Sequence, residues 1–262
     1  MAALRALWTF RGFILGSVQR EFQSRYRNSL LGIAWTIINP LAMVTVYTVI
    51  FSQVMRARLP AVEGAFAYSI YLCAGILVWG LFTEIVTRTQ NVFLDNANLI
   101  KKLNFPRLCL PLIVLLGALI NFGILLVIFL GFLLIVGQFP GWKLWMLIPL
   151  LGVQTLLSIG LGMVLGVFNV FFRDVGQLFG IVLSFWFWCT PIVYPASILP
   201  ESISRLMVFN PMAVLIGEHQ RLFLGGETNL SHLVPVLALA LLLCLAGSIL
   251  FRRHAGEIVD EL

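Results

Sequence analysis

Long apolar stretches alternate with short charged ones along this chain. Six stretches carry no Asp, Glu, Lys or Arg: 28–55, 64–83, 108–142, 144–172, 175–200 and 228–251. Each exceeds the roughly 18 residues that suggest a membrane helix. The pattern predicts an all-α integral membrane protein with six transmembrane helices and little mass outside the bilayer. The expected spans are about 30–55, 66–86, 108–136, 144–170, 176–194 and 228–251. In the first, Pro40 removes a backbone donor and predicts a kink. In the fourth, Ser158, Gly162 and Gly166 recur every four residues, a spacing that lets helix backbones approach closely. Packing within the chain and contact between subunits both fit that stripe.

The segments between the runs also carry pattern. Residues 195–227 hold Pro195, Pro200 and Pro211, with apolar pieces at 203–209 and 212–224. Neither piece is long enough to cross a core of about 30 Å. Residues 196–224 therefore predict re-entrant helices that dip into the outer leaflet and return, with their backbone buried in protein or facing water. Leu4, Leu7, Trp8, Ile14, Leu15, Val18 and Phe22 recur at helical spacing, which predicts an N-terminal amphipathic interfacial helix. Arg11 interrupts its stripe and no small-residue cleavage site follows, so a signal peptide is not expected. Residues 91–105 read as a short helix with a polar start, a basic middle and a stop at Pro106. Its apolar residues Phe93, Leu94, Leu99, Ile100, Leu103 and Phe105 suit docking on a partner protein or rest on lipid headgroups.

Composition narrows the class. The chain is 60% apolar and 11% charged, against about 25% charged in a soluble domain. A soluble enzyme, a disordered protein, a coiled coil and a disulfide-stapled domain are excluded. Twelve of the 17 Lys and Arg fall on the side that holds both termini, which the positive-inside rule places in the cytoplasm. The net charge of +6 then reports topology and contact with anionic lipid. With no basic stripe on a soluble module, no nucleic-acid partner is expected. Cys73, Cys109, Cys189 and Cys244 lie in apolar runs without CxxC spacing, so no metal site is indicated.

The catalytic signatures of a Walker A loop, HExxH and GxSxG do not occur in the sequence. The six runs contain no Asp, Glu, Lys or Arg for a proton route. No internal repeat of the inverted-repeat carriers is visible. An enzyme is therefore not expected, and a permease that draws on another chain's ATPase fits. The remaining candidate chemistry is aromatic: Trp35, Tyr47 and Phe51; Tyr68, Tyr71 and Trp79; and Phe185, Trp186, Phe187 and Trp188 followed by Tyr194. Rings with polar tips suit the C–H faces and hydroxyls of sugars. They equally suit an interfacial belt and core packing, and both readings stay open here.

Three motif groups occur in order. The first is Arg20-Glu-Phe-Gln-Ser-Arg25-Tyr-Arg27 through Gly32 and Trp35 to Pro40. The second is Asn98-Leu-Ile-Lys101 through Pro106-Arg107 to Leu110-Pro111. The third is Phe172-Arg173-Asp174-Val175, then Pro191-Ile-Val-Tyr194-Pro195, then Asn210-Pro211-Met212. The set resembles the ABC-2 type permeases that export polysaccharides such as O-antigen, capsule and teichoic acid. The resemblance covers nearly the whole chain and implies one transmembrane domain over residues 1–262. Within it, 1–27 resemble an interfacial gate helix, 91–105 a coupling helix and 196–224 outer re-entrant helices.

The resemblance further implies a homodimer in the bacterial inner membrane, bound to two copies of a separate ATPase that carries ATP and Mg. No cofactor is expected on this chain itself. The implied cargo is a polysaccharide linked to a polyprenyl pyrophosphate. A different cargo (teichoic acid, a drug or a small lipid) is the alternative within the family. On this reading Trp35, Tyr47, Phe51, Tyr68, Tyr71, Phe185, Trp186, Trp188 and Tyr194 are candidates for a glycan pathway at the dimer interface. Arg20, Arg25 and Arg27, whose planar forks match phosphate oxygens, are candidates for the lipid pyrophosphate. Asn91, Asp95, Asn98, Leu99, Ile100, Lys101 and Lys102 are the candidate contacts to the ATPase.

Overall fold

A computed structural model describes residues 10–26, 38, 42, 45, 46, 49, 66–102 and 109–261. Most of the expected first span, with Trp35, Pro40, Tyr47 and Phe51, lies outside the described residues. The described helices are α1 (Arg11–Tyr26), α2 (Ala67–Asp95), α3 (Ala97–Lys102), α4 (Cys109–Val136) and α5 (Leu147–Phe171). They continue with α6 (Asp174–Trp188), α7 (Glu201–Leu206), α8 (Pro211–Phe223), α9 (Leu233–Arg253) and α10 (Glu257–Glu261). There is no strand among the described residues.

Among the described residues, four helical stretches are long and apolar enough to cross a membrane: Ala67–Asp95, Cys109–Val136, Gly141–Phe171 and Leu230–Arg253. At 1.5 Å per residue α4 is about 42 Å long, more than a bilayer core of about 30 Å requires. Helix α6 is apolar but, at 15 residues, spans only about 22 Å. It stops at Trp188, six residues short of the expected end of the fifth span, because the chain turns towards Pro191.

Helix α2 is the central element. Its buried residues run from Ala67 to Phe93 and pack against α4, α5 and α8. It continues past Glu84 and Arg88, where the charge-free run ends, as far as Asp95. Helices α4 and α9 bury little of themselves. Val127, Leu134 and Ile135 of α4, and Val234, Leu242 and Leu245 of α9, are exposed. Apolar surface of that extent suits lipid rather than water.

The small residues of α5 face other helices of the same chain. A Cβ on Gly162 would stand 2.7 Å from Thr89 Cβ of α2, and one on Gly166 would stand 3.0 Å from the Thr89 carbonyl oxygen. Gly160 and Gly247 make the same close approach between α5 and α9. Without larger side chains in the seam, dispersion between nearly touching backbones holds the three helices. Ser158 is buried in that seam and donates to the Gln154 carbonyl at 2.7 Å. Gln154 in turn donates to the Val78 carbonyl of α2 at 2.7 Å.

The turn between α4 and α5 has Gly137 and Gly141 at positive φ (76° and 63°). Trp142 and Trp145 follow, exposed and 6.1 Å apart. Indole rings at a helix end match the polar–apolar boundary of a bilayer.

Candidate functional site

One polar construction lies around the turn that follows α6. Asn210 caps α8: its Oδ1 accepts from Met212 N at 3.1 Å and Ala213 N at 3.3 Å, and Pro211 occupies the first helical position. The same oxygen accepts from Trp186 Nε1 at 2.9 Å. Its Nδ2 donates to Thr190 Oγ1 at 3.1 Å and to the Cys189 carbonyl at 3.3 Å. From the other side, Tyr71 donates to the carbonyls of Pro191 (2.8 Å) and Tyr194 (3.0 Å), and Tyr68 donates to that of Val193. Gln220 Nε2 reaches the Pro191 carbonyl at 3.4 Å and the Tyr71 carbonyl at 3.3 Å. Irregular backbone is thereby given partners that a helix would have supplied internally. Helix α8 closes at Gly225, φ 77°, with the Gly226 N–H bonded to the Arg221 carbonyl at 2.8 Å.

The candidate pathway aromatics divide by burial. Tyr68 and Tyr71 are buried, and their hydroxyls hold the turn. Trp186 packs edge-on against Phe82 at 5.3 Å and Trp79 at 6.2 Å. Phe185 and Trp188 are 70% and 64% exposed. With Leu178, Ile181 and Val182 they form one continuous apolar face of α6. Tyr194 donates its hydroxyl to the Trp188 carbonyl at 2.7 Å. Trp35, Tyr47 and Phe51 lie outside the described residues.

At the other end of α2, its last turns and α3 occupy the candidate coupling segment. Asp95, Asn98, Leu99 and Lys101 are exposed. Ile100 is buried in a cluster with Val92, Phe93, Leu110 and Phe251. Asn91 donates to the Thr87 carbonyl at 2.9 Å and accepts from Asn169 of α5 at 3.0 Å. Asn169, 2% exposed, also accepts from the Gly176 N–H of α6 at 3.0 Å. It joins α2, α5 and α6 in one buried knot. The side chain of Lys102 lies outside the described residues.

Near the candidate entrance, Arg20 Nη2 donates to Ser17 Oγ at 2.9 Å on the exposed side of α1. The Arg25 side chain and Arg27 lie outside the described residues. Ile14 and Val18 of α1 are buried against Cys109 and Ile113 of α4, while Leu15 is exposed. A cavity of about 360 Å³ opens between α1, α2 and α4, lined by Ser17, Arg20, Glu21, Arg88, Asp95 and Ile113 among others.

Sequence reasoning did not assign roles to Asn169, Asn210, Glu21, Arg88 or Glu218. Glu218 is buried on α8 and accepts from Arg221 (2.6 Å), His232 (2.8 Å) and the Asn229 N–H (2.9 Å), tying α8 to the start of α9. The signal for Asn210 was its place before Pro and an apolar run. Asn169 and Asn91 lie 78 residues apart and Arg88 and Glu21 67 apart, whereas the partners of Glu218 are 3, 11 and 14 residues away, without a recognisable motif.

Comparison with known proteins agrees with this architecture. Residues 14–217 match the ABC-2 type transporter family. The O-antigen export system permease protein RfbA of Myxococcus xanthus is 31% identical over 264 residues, covering 99% of this chain and 98% of the relative. A permease of the same description from Klebsiella pneumoniae is 29% identical, covering 89% and 88%. The polysialic acid transport protein KpsM of Escherichia coli is 22% identical over 75% of each chain. The chain belongs to the ABC-2 type transporter family, and it is a multi-pass membrane protein with several apolar helices.

Proposed function

We propose that this chain is the membrane-spanning subunit of an ATP-driven exporter that carries a lipid-linked, O-antigen-like polysaccharide out of the cytoplasm. The observation that carries the reading is end-to-end similarity, 99% of one chain against 98% of the other, to an O-antigen export permease. In this reading two copies form the passage, six spans per copy, with both termini in the cytoplasm of a bacterial inner membrane. ATP and Mg sit on two copies of a separate subunit. The exposed face of α6, with Phe185 and Trp188, lines the passage or meets the second copy. Asp95, Asn98, Leu99 and Lys101 meet the ATPase. Arg20, Arg25 and Arg27 receive the lipid pyrophosphate at the entrance.

The test is deletion of the gene, followed by complementation with this chain and its ATPase subunit. Surface polysaccharide should vanish on deletion, with lipid-linked glycan accumulating inside, and should return with the pair. An unchanged surface glycan, or accumulation of a teichoic acid, drug or small lipid instead, would refute the proposed cargo. Restoration by this chain alone in a strain that also lacks the ATPase gene would refute the dependence on an ATPase subunit.

A further inference from the structure

Besides Asp95 at its C-terminal end, α2, a helix long and apolar enough to cross a membrane, carries two charged residues, Glu84 and Arg88. Such residues are costly in that setting and persist where their charge does something. Arg88 Nη1 stands 3.3 Å from Glu84 Oε1, one turn away on the same helix. Arg88 Nη2 pairs with Glu21 of α1. The other Glu84 oxygen accepts from Asn121 Nδ2 of α4 at 2.9 Å. The three ionised side chains are only 20–33% exposed. One cation therefore stands between two carboxylates from different helices, and its removal leaves those carboxylates facing each other.

A second, independent observation concerns Gly117 of α4. A Cβ there would stand 3.3 Å from Arg88 Nη1 and 3.6 Å from Glu21 Oε1. The missing side chain opens the slot through which the guanidinium reaches α1. Ile14 and Val18 of α1 also pack against Cys109 and Ile113 of α4. Arg88 lies seven residues before Asp95, about 10 Å along the helix that leads into α3.

We propose that Arg88 is a positioning residue that clasps the interfacial helix α1 to the stem of the coupling helix, so that a displacement of α3 by the ATPase moves α1 at the cytoplasmic entrance. The clasp rests on the export reading above. It converts two helices, 67 residues apart at Glu21 and Arg88, into one rigid body on the inner side of the protein.

The test uses the full complex with its ATPase subunit and the variants Arg88→Gln, Gly117→Leu, Arg88→Glu and the double exchange Glu21→Arg/Arg88→Glu. Arg88→Gln and Gly117→Leu should assemble and hydrolyse ATP, while export falls about tenfold or more. The double exchange should regain at least about half of the export that Arg88→Glu loses. A second readout is the distance between spin labels at Gln23 of α1, which is exposed, and Ala97 of α3, which is half-buried and outside the residues assigned to the ATPase. In wild type it should stay fixed between the nucleotide-free and ATP-bound states, and in Arg88→Gln it should change.

Export by Arg88→Gln within about twofold of wild type would overturn the proposal. So would a double exchange no better than Arg88→Glu, or loss of assembly in both Arg88→Gln and Gly117→Leu. If the wild-type complex moves no polysaccharide but the Arg88-dependent distance persists, the cargo reading fails and the clasp stands.

Discussion

Replacement of Asn210 by Ala removes five hydrogen bonds at once, from the cap of α8, the indole of Trp186 and the turn at Cys189–Thr190. Loss of an Asn cap costs about 1 kcal/mol. Trp186 Nε1 is partly buried and would have no partner, which adds about 1–3 kcal/mol. Thr190 Oγ1 keeps its own bond to the Trp186 carbonyl at 2.7 Å, so little is added there. The expected loss is about 2–4 kcal/mol. Asn210→Asp keeps the oxygen that accepts three donors but sets a carboxylate oxygen against the Cys189 carbonyl and Thr190 Oγ1, whose own proton is given to the Trp186 carbonyl, so it should lose about 1–3 kcal/mol. In the double variant Asn210→Ala/Trp186→Phe the indole is gone, and the combined loss should fall short of the sum of the two singles by about 1 kcal/mol or more. Equilibrium unfolding of the purified protein in mixed detergent micelles, followed by tryptophan fluorescence, measures all three. If Asn210→Ala unfolds within about 0.5 kcal/mol of wild type, or the double variant is fully additive, the turn is not held as described.

Gly162→Leu should push α5 from α2, because even a Cβ would meet Thr89 Cβ at 2.7 Å and the Val86 carbonyl oxygen at 3.2 Å; a loss of about 1–3 kcal/mol is expected in the same unfolding assay. Tyr71→Phe leaves the Tyr194 carbonyl without its 3.0 Å partner, so hydrogen exchange should rise across 192–199 and stay unchanged in α5. Leu99→Asp, on an exposed residue, should reduce co-purification of the ATPase subunit without lowering the amount of permease. Ile100→Asp, one residue on and buried, should instead lower the amount of permease itself, by at least about 3 kcal/mol of stability; protein levels on membranes separate the two.

The apolar runs at 108–142, 144–172 and 228–251 hold α4, α5 and α9, because Pro111, Pro149 and Pro235 fall in the first turn, where no intrahelical donor is needed, and only lipid or other helices can cover the rest. Proline and glycine mark their ends: Pro140 and Gly141 before α5, Asn210-Pro211 before α8 and Gly225 after it. Helix α2 was harder to read. A charge-free criterion stops at Glu84, whereas the helix continues because Arg88 neutralises Glu84 within one turn. The polar constructions were illegible for a different reason. Tyr71 acts on backbone carbonyls 120 and 123 residues away, and Asn169 on Asn91 at a separation of 78. Side-chain-to-carbonyl pairing leaves no pattern in local composition. The aromatic content marked Tyr68, Tyr71, Phe185 and Trp188 alike, and only burial separates the two that pin a turn from the two that stand on a surface.

The pairing of Glu84 with Arg88 also bears on how the chain enters the membrane. Each charge alone would oppose insertion of α2 by about 2.5–3.5 kcal/mol at the bilayer centre. Placed one turn apart, they reach the insertion machinery as a neutral couple. Glu21, synthesised earlier, is already present when Arg88 emerges, but the Asn121 that completes Glu84 is made 37 residues later. The bond from Asn121 to Glu84 therefore forms only when α4 arrives. That bond joins the biogenesis of the two helices: a contact of α2 is completed by a helix that leaves the ribosome after it.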